Sequence, residues 1–419
     1  MDRRSFLKAA SAGSILAGCA GIGGRTQARA RVAIVGGGYG GATAARYLRM
    51  FDPSIEVVLV EPAEAFVSCP LSNLVVGGFR EMADITVPYI GLERLGVKVV
   101  RDSATAIDPG RKEVRLARGD AIAYDRLVVS PGIDFMWEAM PALSTPAARS
   151  QVLHAWKAGP QTLELRRRLA AMRDGGVFAI SIPEAPYRCP PGPYERACLA
   201  AAYFKRAKPR AKVLILDANE DVTSKGALFK KAWTDLYGGM IEYRPNSRAI
   251  DVDAARNVVH LEFGDEAADV LNVLPPMRAG DIAKPFITAN GRWCEVDWLT
   301  FESKAAPGVH VLGDALQVAP LMPKSATMAN GQGKACAAAV VALLDGEAPN
   351  PAPTLVNTCY SMVSEKHAVH VASVHKYDTQ ERTFKPVPGA GGLSAAMNEA
   401  EGAFAINWAR NIWADALGS

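Results

Sequence analysis

A short apolar strand that runs directly into a glycine-rich turn constrains the fold more than any other feature of this sequence. The strand, 31–35, is followed by a Gly-Gly-Gly-Tyr-Gly-Gly turn. In a βαβ unit of this kind, Gly36 allows the tight turn, Gly38 lets the backbone approach a pyrophosphate, and Gly41 allows close helix packing. Glu61 ends the next strand, where an acid holds a ribose hydroxyl. The pattern predicts a site for a dinucleotide whose adenosine has no 2′-phosphate.

Two later segments favour FAD over NAD as this dinucleotide. Residues 125–132 have the pattern of a strand that ends in a tight turn at Gly132, and residues 308–314 have that of a strand that ends in Asp314. In flavoproteins with two dinucleotide-binding domains, such a late aspartate binds the ribityl chain of the flavin. We therefore expect an FAD domain that is interrupted and later resumed.

A second βαβ unit lies between these segments, and its turn is unusual. Strand patterns at 176–182 and 212–217 flank a helix from about Tyr194 to Arg206. The connecting turn, 183–193, has no Gly-x-Gly-x-x-Gly, and its prolines remove backbone donors that a phosphate needs. The sequence thus predicts that the nicotinamide site is lost and that the electron donor is not NAD(P)H.

The remaining pattern completes a three-part organisation. Residues 241–275 alternate like short strands, an alanine-rich helix spans about Ser325 to Leu344, and the tail contains a strand near His367–His375 and a Pro/Gly loop from Pro386 to Gly392. The predicted fold is α/β, with two Rossmann-like, glutathione-reductase-like domains and a C-terminal α+β domain. The predicted boundaries are 1–30 for a signal segment, 31–150 and 276–345 for the FAD domain, 151–275 for the second Rossmann-like domain, and 346–419 for the C-terminal domain.

The N-terminal segment has the features of a twin-arginine export signal. Arg3 and Arg4 precede an apolar run, and the run is followed by a lipoprotein-like box at Cys19 and a peptidase-like Ala-Arg-Ala at 28–30. We expect a periplasmic protein, with cleavage after residue 30 favoured over a lipid anchor at Cys19. Five of the 47 basic and one of the 43 acidic residues lie in residues 1–30, so the remainder has no net charge. This balance argues against a nucleic-acid partner, and no later apolar run is long enough for a transmembrane span.

Cysteine is the natural route for electrons if nicotinamide is excluded, because a disulfide beside a flavin can accept a nucleophile and relay two electrons. Cys189 precedes a helix N-terminus, where the helix dipole and Arg188 would stabilise a thiolate. Cys198 and Cys336 lie on alanine-rich helical stretches that favour inert buried thiols. The six histidines show no metal-ligand spacing, so we expect no metal. Which two cysteines pair is left open by the residues alone.

Four uncommon motifs resemble the flavoprotein subunit of flavocytochrome c sulfide dehydrogenase. They are Cys-Pro-Pro-Gly-Pro-Tyr-Glu-Arg-Ala at 189–197, His-Ala-Trp-Lys-Ala-Gly at 154–159, Met-Pro-Lys-Ser at 322–325 and Asn-Thr-Cys-Tyr-Ser at 357–361. The resemblance implies a redox-active disulfide between Cys189 and Cys359 over the flavin. A structural bridge or two free thiols remain the alternatives.

The resemblance also implies further site residues. Cys69 stands where the family attaches its flavin through a thioether, although Phe66 and Pro70 depart from the family pattern. Lys324 is expected to stabilise the reduced flavin or else to be a solvated cap residue, and Trp408 to lie near the flavin or else in the core. Glu195 is expected to handle a proton or to cap its helix.

By this resemblance, the function is oxidation of sulfide with transfer of electrons to a c-type cytochrome subunit. The haem c belongs to that partner, because this chain has no Cys-x-x-Cys-His. Residues 346–419 are the expected interface. One alternative is a sulfide:quinone oxidoreductase, which should end in apolar amphipathic helices, whereas the last helix here mixes apolar and charged residues. Another is a non-catalytic, flavin-carrying assembly protein with structural cysteines.

Overall fold

The computed structural model of the chain describes residues 28–418. The twin-arginine pair and Cys19 lie outside the described residues. The expected cleavage site, residues 28–30, lies within the described residues. Ala30 is the first residue of the first strand, and Arg29 forms ion pairs with Asp52 at 2.5 Å and Asp345 at 2.9 Å. Cleavage after Ala30 would therefore remove a paired residue of the folded sheet.

The described residues form a mixed α/β structure. Its helices, apart from short 3₁₀ turns, are α1 (Tyr39–Phe51), α2 (Ser72–Val76), α3 (Ile90–Arg94), α4 (Pro146–Gln151), α5 (Pro160–Ala171), α6 (Gly192–Ala207), α7 (Gly226–Tyr237), α8 (Ala326–Leu344) and α9 (Glu399–Leu417). Its strands are β1 (Ala30–Val35), β2 (Ile55–Val60), β3 (Ala65–Val67), β4 (Thr86–Pro88), β5 (Lys98–Val100), β6 (Ala104–Asp108), β7 (Glu113–Leu116), β8 (Ala121–Ala123), β9 (Arg126–Val129), β10 (Ile133–Phe135), β11 (Val177–Ile182), β12 (Lys212–Asp217), β13 (Ile241–Arg244), β14 (Ala249–Asp253), β15 (Val258–Leu261), β16 (Gly264–Ala267), β17 (Val270–Val273), β18 (Met277–Ala279), β19 (Ile287–Ala289), β20 (Trp293–Cys294), β21 (Val309–Val311), β22 (Thr354–Met362), β23 (Ala368–Asp378) and β24 (Thr383–Leu393).

The first large sheet is parallel and has the order β21-β9-β1-β2-β5. Its strands are short apolar runs because helices cover parallel sheets on both faces. β9 and β21 are far apart in the sequence, since β10 to β20 lie between them, yet the two strands pair directly. This pairing brings the turn after β9 and the turn after β21 to the same edge, at the carboxyl ends of the strands.

The glycines of the first turn are required by close backbone contacts. Gly36 has φ +98°, and a Cβ on it would lie 2.3 Å from the carbonyl oxygen of Ser130. A Cβ on Gly41 would lie 1.9 Å from the carbonyl oxygen of Gly36. Gly38 differs, because a Cβ there would meet no atom within 4 Å. The turn is therefore packed on its inner side and open above Gly38.

The second parallel sheet has the order β13-β12-β11-β17 and carries α6 between β11 and β12. α6 begins at Gly192, two residues before the predicted start, because the prolines at 190, 191 and 193 suit a first helical turn, where backbone donors are unpaired in any case. The fold class of two Rossmann-like units is confirmed.

The C-terminal part is an antiparallel sheet, β22-β23-β24, followed by α9. The predicted loop from Pro386 to Gly392 is wrong, since these residues belong to β24. β24 is an edge strand that pairs only with β23, with a register shift between Ser373 and His375. Proline and glycine are tolerated at such edges and bulges. The strand was therefore predicted as a loop because it contains residues that usually form turns.

The end of α9 packs against α1. The Trp413 indole donates to the Tyr39 hydroxyl at 3.0 Å, and Asp415 accepts from Tyr47 at 2.7 Å and from Asn330 of α8 at 2.8 Å. The C-terminal part is thereby fixed to the first dinucleotide-binding unit.

Over residues 28–418, no helix combines the length and the apolar character needed to cross a bilayer.

Gly41→Ala should lower the midpoint of thermal unfolding by roughly 5 °C, because overpacking against a fixed backbone oxygen costs about 1–3 kcal/mol. The matched variant Gly38→Ala adds the same methyl group into open space and should unfold at the wild-type temperature. Differential scanning calorimetry of flavin-free samples measures both. Equal midpoints for the two variants would contradict this account of the turn.

Candidate active site

A cavity of about 920 Å³ lies where the two parallel sheets and the C-terminal sheet meet. This volume is in the range of about 300–1,000 Å³ that is usual for cofactor sites. All the predicted site residues except Gly41 line it: Gly36, Gly38, Glu61, Cys69, Gly132, Cys189, Glu195, Asp314, Lys324, Cys359 and Trp408. Gly41 lies behind the turn, where it packs α1 against the strand.

The glycine-turn end of the cavity has the donor set for an adenosine diphosphate group. The Glu61 carboxylate accepts from the backbone N–H of Gly37 at 2.8 Å and of Ala63 at 2.9 Å, which holds it beside the turn. The open space above Gly38 faces the N-terminus of α1, where backbone donors and the helix dipole favour a pyrophosphate. Gly132 and Asp314 line the cavity on the other turns of the same edge. These residues fit an FAD.

The second Rossmann-like unit has closed its own nucleotide position. Asp217 is the last residue of β12, a position that corresponds to that of Glu61 directly after β2. Asp217, however, is fully buried and accepts hydrogen bonds from the hydroxyls of Tyr194 at 2.6 Å and Tyr243 at 3.2 Å. Tyr194 lies in the first turn of α6, where a phosphate would otherwise approach the helix. The carboxylate that would hold a ribose is therefore occupied by the chain's own side chains.

Cys189 is held in a strained backbone conformation. Its φ is +57°, a left-handed value that is uncommon outside glycine, and its N–H donates to the carbonyl of Lys324 at 3.0 Å. Burial raises the pKa of its thiol, and a charge on nearby Cys359 raises it further. The charge of Arg188 lowers the pKa of Cys189, as expected, but burial outweighs it, and the guanidinium hydrogen-bonds Cys69 and not Cys189.

Cys359 lies on β22 next to a buried lysine that the sequence did not indicate. The Lys225 ammonium donates to the carbonyl of Cys359 at 3.0 Å and to the Ser361 hydroxyl at 2.8 Å. Burial raises the pKa of the Cys359 thiol, whereas the charge of Lys225 opposes that rise. Cys189 and Cys359 are both free thiols here, and both face the cavity. The implied disulfide remains a hypothesis.

Glu195 is buried and does not cap its helix. One carboxylate oxygen accepts from the side-chain amide of Asn73 at 2.8 Å, and the other accepts from the backbone N–H of Met362 at 2.8 Å. Burial raises the pKa of Glu195 above its usual value, and these two hydrogen bonds oppose the rise. The capping interpretation is therefore wrong, while a proton-handling role stays a prediction.

Lys324 is buried, so the solvated-cap interpretation is also wrong. Its ammonium lies 3.6 Å from the centre of the Trp293 ring and donates to the carbonyls of Asp314, at 2.9 Å, and Leu316. Burial lowers the pKa of Lys324 to about 7, although the Asp314 carboxylate acts in the opposite direction. A lysine poised near neutral pH can respond to a new negative charge in the cavity.

Two further predicted site residues are Trp408, on the C-terminal helix, and Cys69, which lies beside the turn that contains Arg188. Trp408 is half-buried on α9, and its ring centre is 6.1 Å from that of Tyr360, the neighbour of Cys359. Cys69 precedes α2, and its sulfur lies 2.8 Å from Arg188. Within residues 28–418, no group of three or more His, Cys, Asp or Glu side chains is placed to hold a metal ion.

Comparisons with known proteins identify the family. Residues 162–275 match the central part of the sulfide dehydrogenase (flavocytochrome c) flavoprotein chain, residues 351–417 match the flavin-binding part of flavocytochrome c sulphide dehydrogenase, and residues 30–164 match pyridine nucleotide-disulphide oxidoreductases. The flavoprotein chain of sulfide dehydrogenase from Chlorobaculum thiosulfatiphilum is 67% identical over 45 residues, which are 94% of that sequence and 11% of this chain.

The chain belongs to the flavocytochrome c sulfide dehydrogenase flavoprotein family. It is thus an FAD-dependent oxidoreductase of a sulfide-oxidising family. The mitochondrial sulfide:quinone oxidoreductase of Mus musculus is 26% identical over 321 residues, which cover 71% of this chain and 67% of that protein. The sulfide:quinone oxidoreductase structure from Aquifex aeolicus superposes with a TM-score of 0.76 at 17% identity, covering 93% of this chain and 92% of that one, which shows a shared fold.

Sequence reasoning missed a buried polar network that surrounds the family motifs. Arg196 donates to the side chains of Asn73 at 3.0 Å and Asn272 at 2.7 Å, and it is almost fully buried. Arg196 stands inside the motif at 189–197, which was a usable signal, whereas Asn73 lies outside the four motifs that carried the resemblance. Lys225 had no such signal, since it lies in an ordinary polar stretch before α7.

Lys324→Met should lower the two-electron midpoint potential of the bound flavin by roughly 30 mV at pH 6, a change equivalent to about 1.4 kcal/mol. With a pKa of about 7, Lys324 is mostly charged at pH 6 and mostly neutral at pH 8. The difference between variant and wild type should therefore shrink as the pH rises. Spectroelectrochemical titration at both pH values measures it.

Lys157→Met is the matched control, because Lys157 also lines the cavity but its side chain is 46% exposed. Water screens its charge, so this variant should shift the potential less. A wild-type potential in Lys324→Met, or a difference that grows with pH, would contradict the assigned role.

Proposed function

We propose that the chain is the flavoprotein subunit of a periplasmic sulfide dehydrogenase, which oxidises sulfide and passes the electrons to a c-type cytochrome subunit. The observation that carries the proposal is the placement of Cys189 and Cys359 on the cavity that also holds the FAD-binding turns. The closed nucleotide position at Asp217 supports it, because electrons then have no evident entry from a nicotinamide. Thiol chemistry is the remaining route.

The chemistry requires Cys189 and Cys359 to form a disulfide in the resting protein. Hydrosulfide attacks one sulfur, the S–S bond breaks, and the products are a persulfide on that cysteine and a thiolate on the other. A second hydrosulfide takes the outer sulfur as hydrodisulfide and leaves two reduced cysteines. These are one thiol and one thiolate, so when they re-form the disulfide they release two electrons and one proton, and bound FAD would supply the two-electron acceptor. Over the cycle, two hydrosulfide ions give one hydrodisulfide ion, one proton and two electrons.

Glu195 is suited to handle a proton in this cycle. Its carboxylate lies between the helix that follows Cys189 and the strand that carries Cys359, and both thiols gain a higher pKa from its charge. A carboxylate with a raised pKa takes up a proton more readily than a surface one. It can therefore accept a proton when a thiol ionises.

The cytochrome partner and the compartment form one proposal. The chain has no haem-attachment motif, so one-electron transfer to haem needs a docked subunit. Residues 346–419 are the proposed interface, and exposed apolar side chains at Val356, Leu393 and Phe404 support it. Export through the Arg3-Arg4 signal would bring a folded, FAD-loaded chain to the periplasm.

Cys69 is the proposed tether for the flavin. It lines the cavity with the FAD-binding turns, and it stands at the position where the family motif carries the attaching cysteine. A thioether at Cys69 would keep the flavin with the denatured chain.

Quinone as the electron acceptor is the alternative that the sulfide:quinone oxidoreductase relatives suggest.

Cys359→Ser should bind flavin normally but lose sulfide-dependent flavin reduction by roughly a hundredfold or more, because no disulfide can form. Stopped-flow absorbance under anaerobic conditions measures the rate, and dithionite reduction shows that the flavin remains reducible. Cys336→Ala is the control, since Cys336 is buried on α8 and does not line the cavity.

An unchanged rate in Cys359→Ser would favour the flavin-carrying role with structural cysteines. Mixing the sulfide-reduced wild-type protein with either a c-type cytochrome or a soluble quinone then separates the two acceptors. The proposal expects fast oxidation by the cytochrome and slow oxidation by the quinone. The reverse order would favour the quinone alternative.

A further inference from the structure

The guanidinium of Arg188 makes a direct hydrogen bond to the sulfur of Cys69. The distance from Nη2 to Sγ is 2.8 Å, and the same nitrogen also donates to the carbonyl of Trp156. On its other side, the Arg188 Nε lies 4.0 Å from the Asp314 carboxylate. The side chain is only 15% exposed, so these partners fix its orientation.

This contact fixes the position of the Cys69 sulfur and places a permanent positive charge beside it. A neutral thiol is a weak hydrogen-bond acceptor, whereas a thiolate accepts strongly from a guanidinium that stays charged at every relevant pH. Burial lowers the pKa of Arg188, but charges on Cys69 and Asp314 outweigh it and raise that pKa above its usual value. Since the thiolate is the nucleophilic form of cysteine, a guanidinium held against the sulfur is placed to assist its attack on a group in the cavity.

We propose that Arg188 is a positioning and activating residue for covalent attachment of the flavin at Cys69. This inference rests on the proposed tether and deepens it by naming the group that drives the bond. It also gives a use to a buried arginine that makes no hydrogen bond to the redox cysteine beside it in sequence. The Cys189 turn thus carries two functions, one on each of two consecutive residues.

A bond forms between Cys69 Sγ and a methyl carbon of the flavin ring, one C–H bond of that methyl group breaks, and its hydrogen leaves as a proton. Two electrons are released and reduce dioxygen, with two protons, to hydrogen peroxide. Each attachment event therefore consumes one dioxygen and yields one hydrogen peroxide.

The test follows attachment itself and not sulfide oxidation. Arg188→Met is purified with its flavin, incubated in air at pH 7 and at pH 9.5, and sampled into acid, so that covalent flavin is measured in the pellet and free flavin in the supernatant. Attachment at pH 7 should be at least roughly tenfold slower than in wild type, because an unassisted thiol has a pKa of about 8.5 and is only a few per cent ionised there. At pH 9.5 the thiol ionises unaided, so attachment should recover.

Three further variants make the result specific. Cys69→Ser should release all its flavin at both pH values, and Arg188→Lys should attach faster than Arg188→Met because it keeps the charge. Arg278→Met removes an arginine of equal burial, 16% exposed, that does not line the cavity, and should attach like wild type.

Wild-type attachment rates in Arg188→Met at pH 7, or slow attachment that high pH does not restore, would overturn the role of Arg188. If Arg188→Met binds no flavin, Arg188→Lys gives the answer, because a pH dependence shifted toward that of a free thiol supports the role and an unshifted one overturns it. A wild-type protein that releases its flavin overturns both the tether and this inference. If flavin attaches at Cys69 with the help of Arg188 but the flavin is not reduced by sulfide, the proposed function alone is overturned.

Discussion

The buried carboxylate of Glu195 joins the three chain segments that carry the cysteines of the site. Its partners are Asn73, four residues after Cys69, and Met362, three residues after Cys359, while Glu195 itself follows Cys189 by six residues. A buried carboxylate is stable only when its hydrogen bonds are made. The segments must therefore meet in one arrangement, and the geometry of the cavity depends on this contact.

A second constraint comes from the turn that precedes α6. In the first Rossmann-like unit, glycines leave space above the helix N-terminus and Glu61 faces the cavity. In the second unit, prolines form the turn and Tyr194 covers Asp217. Under the proposed function, the same βαβ framework serves a nucleotide in one copy and redox thiol chemistry in the other. The proposed change of electron donor therefore needs a cysteine turn in place of a ligand site, and no change of fold.

Much of this arrangement could be predicted because its signals are local. The glycines of the first turn, the strand that ends at Asp314 and the missing glycines of the second turn all follow from short patterns with clear steric causes. The fold class followed from them. The β24 strand did not, because its prolines and glycines form turns in most sequences and only the edge position of the strand makes them acceptable.

The partners of charged side chains were the hardest part to predict. The charge of Arg188 acts on its sequence neighbour Cys189 as predicted, but its contacts with Cys69, Trp156 and Asp314 were not predicted. The sequence allowed Lys324 to lie either beside the flavin or in solvent, and tertiary packing places it in the interior against Trp293. Lys225 carries no local signal at all. These contacts join residues far apart in sequence, so a single sequence does not contain them as a pattern.

The central claim is that electrons reach the flavin from sulfide through thiols and not from a nicotinamide. The most direct measurement is the visible spectrum of the purified wild-type protein, titrated anaerobically with sulfide or with NADH. The account predicts that sulfide bleaches the flavin band and that NADH leaves it unchanged. Bleaching by NADH with no response to sulfide would contradict the claim, and with it the assignment of Cys189 and Cys359 as the redox pair.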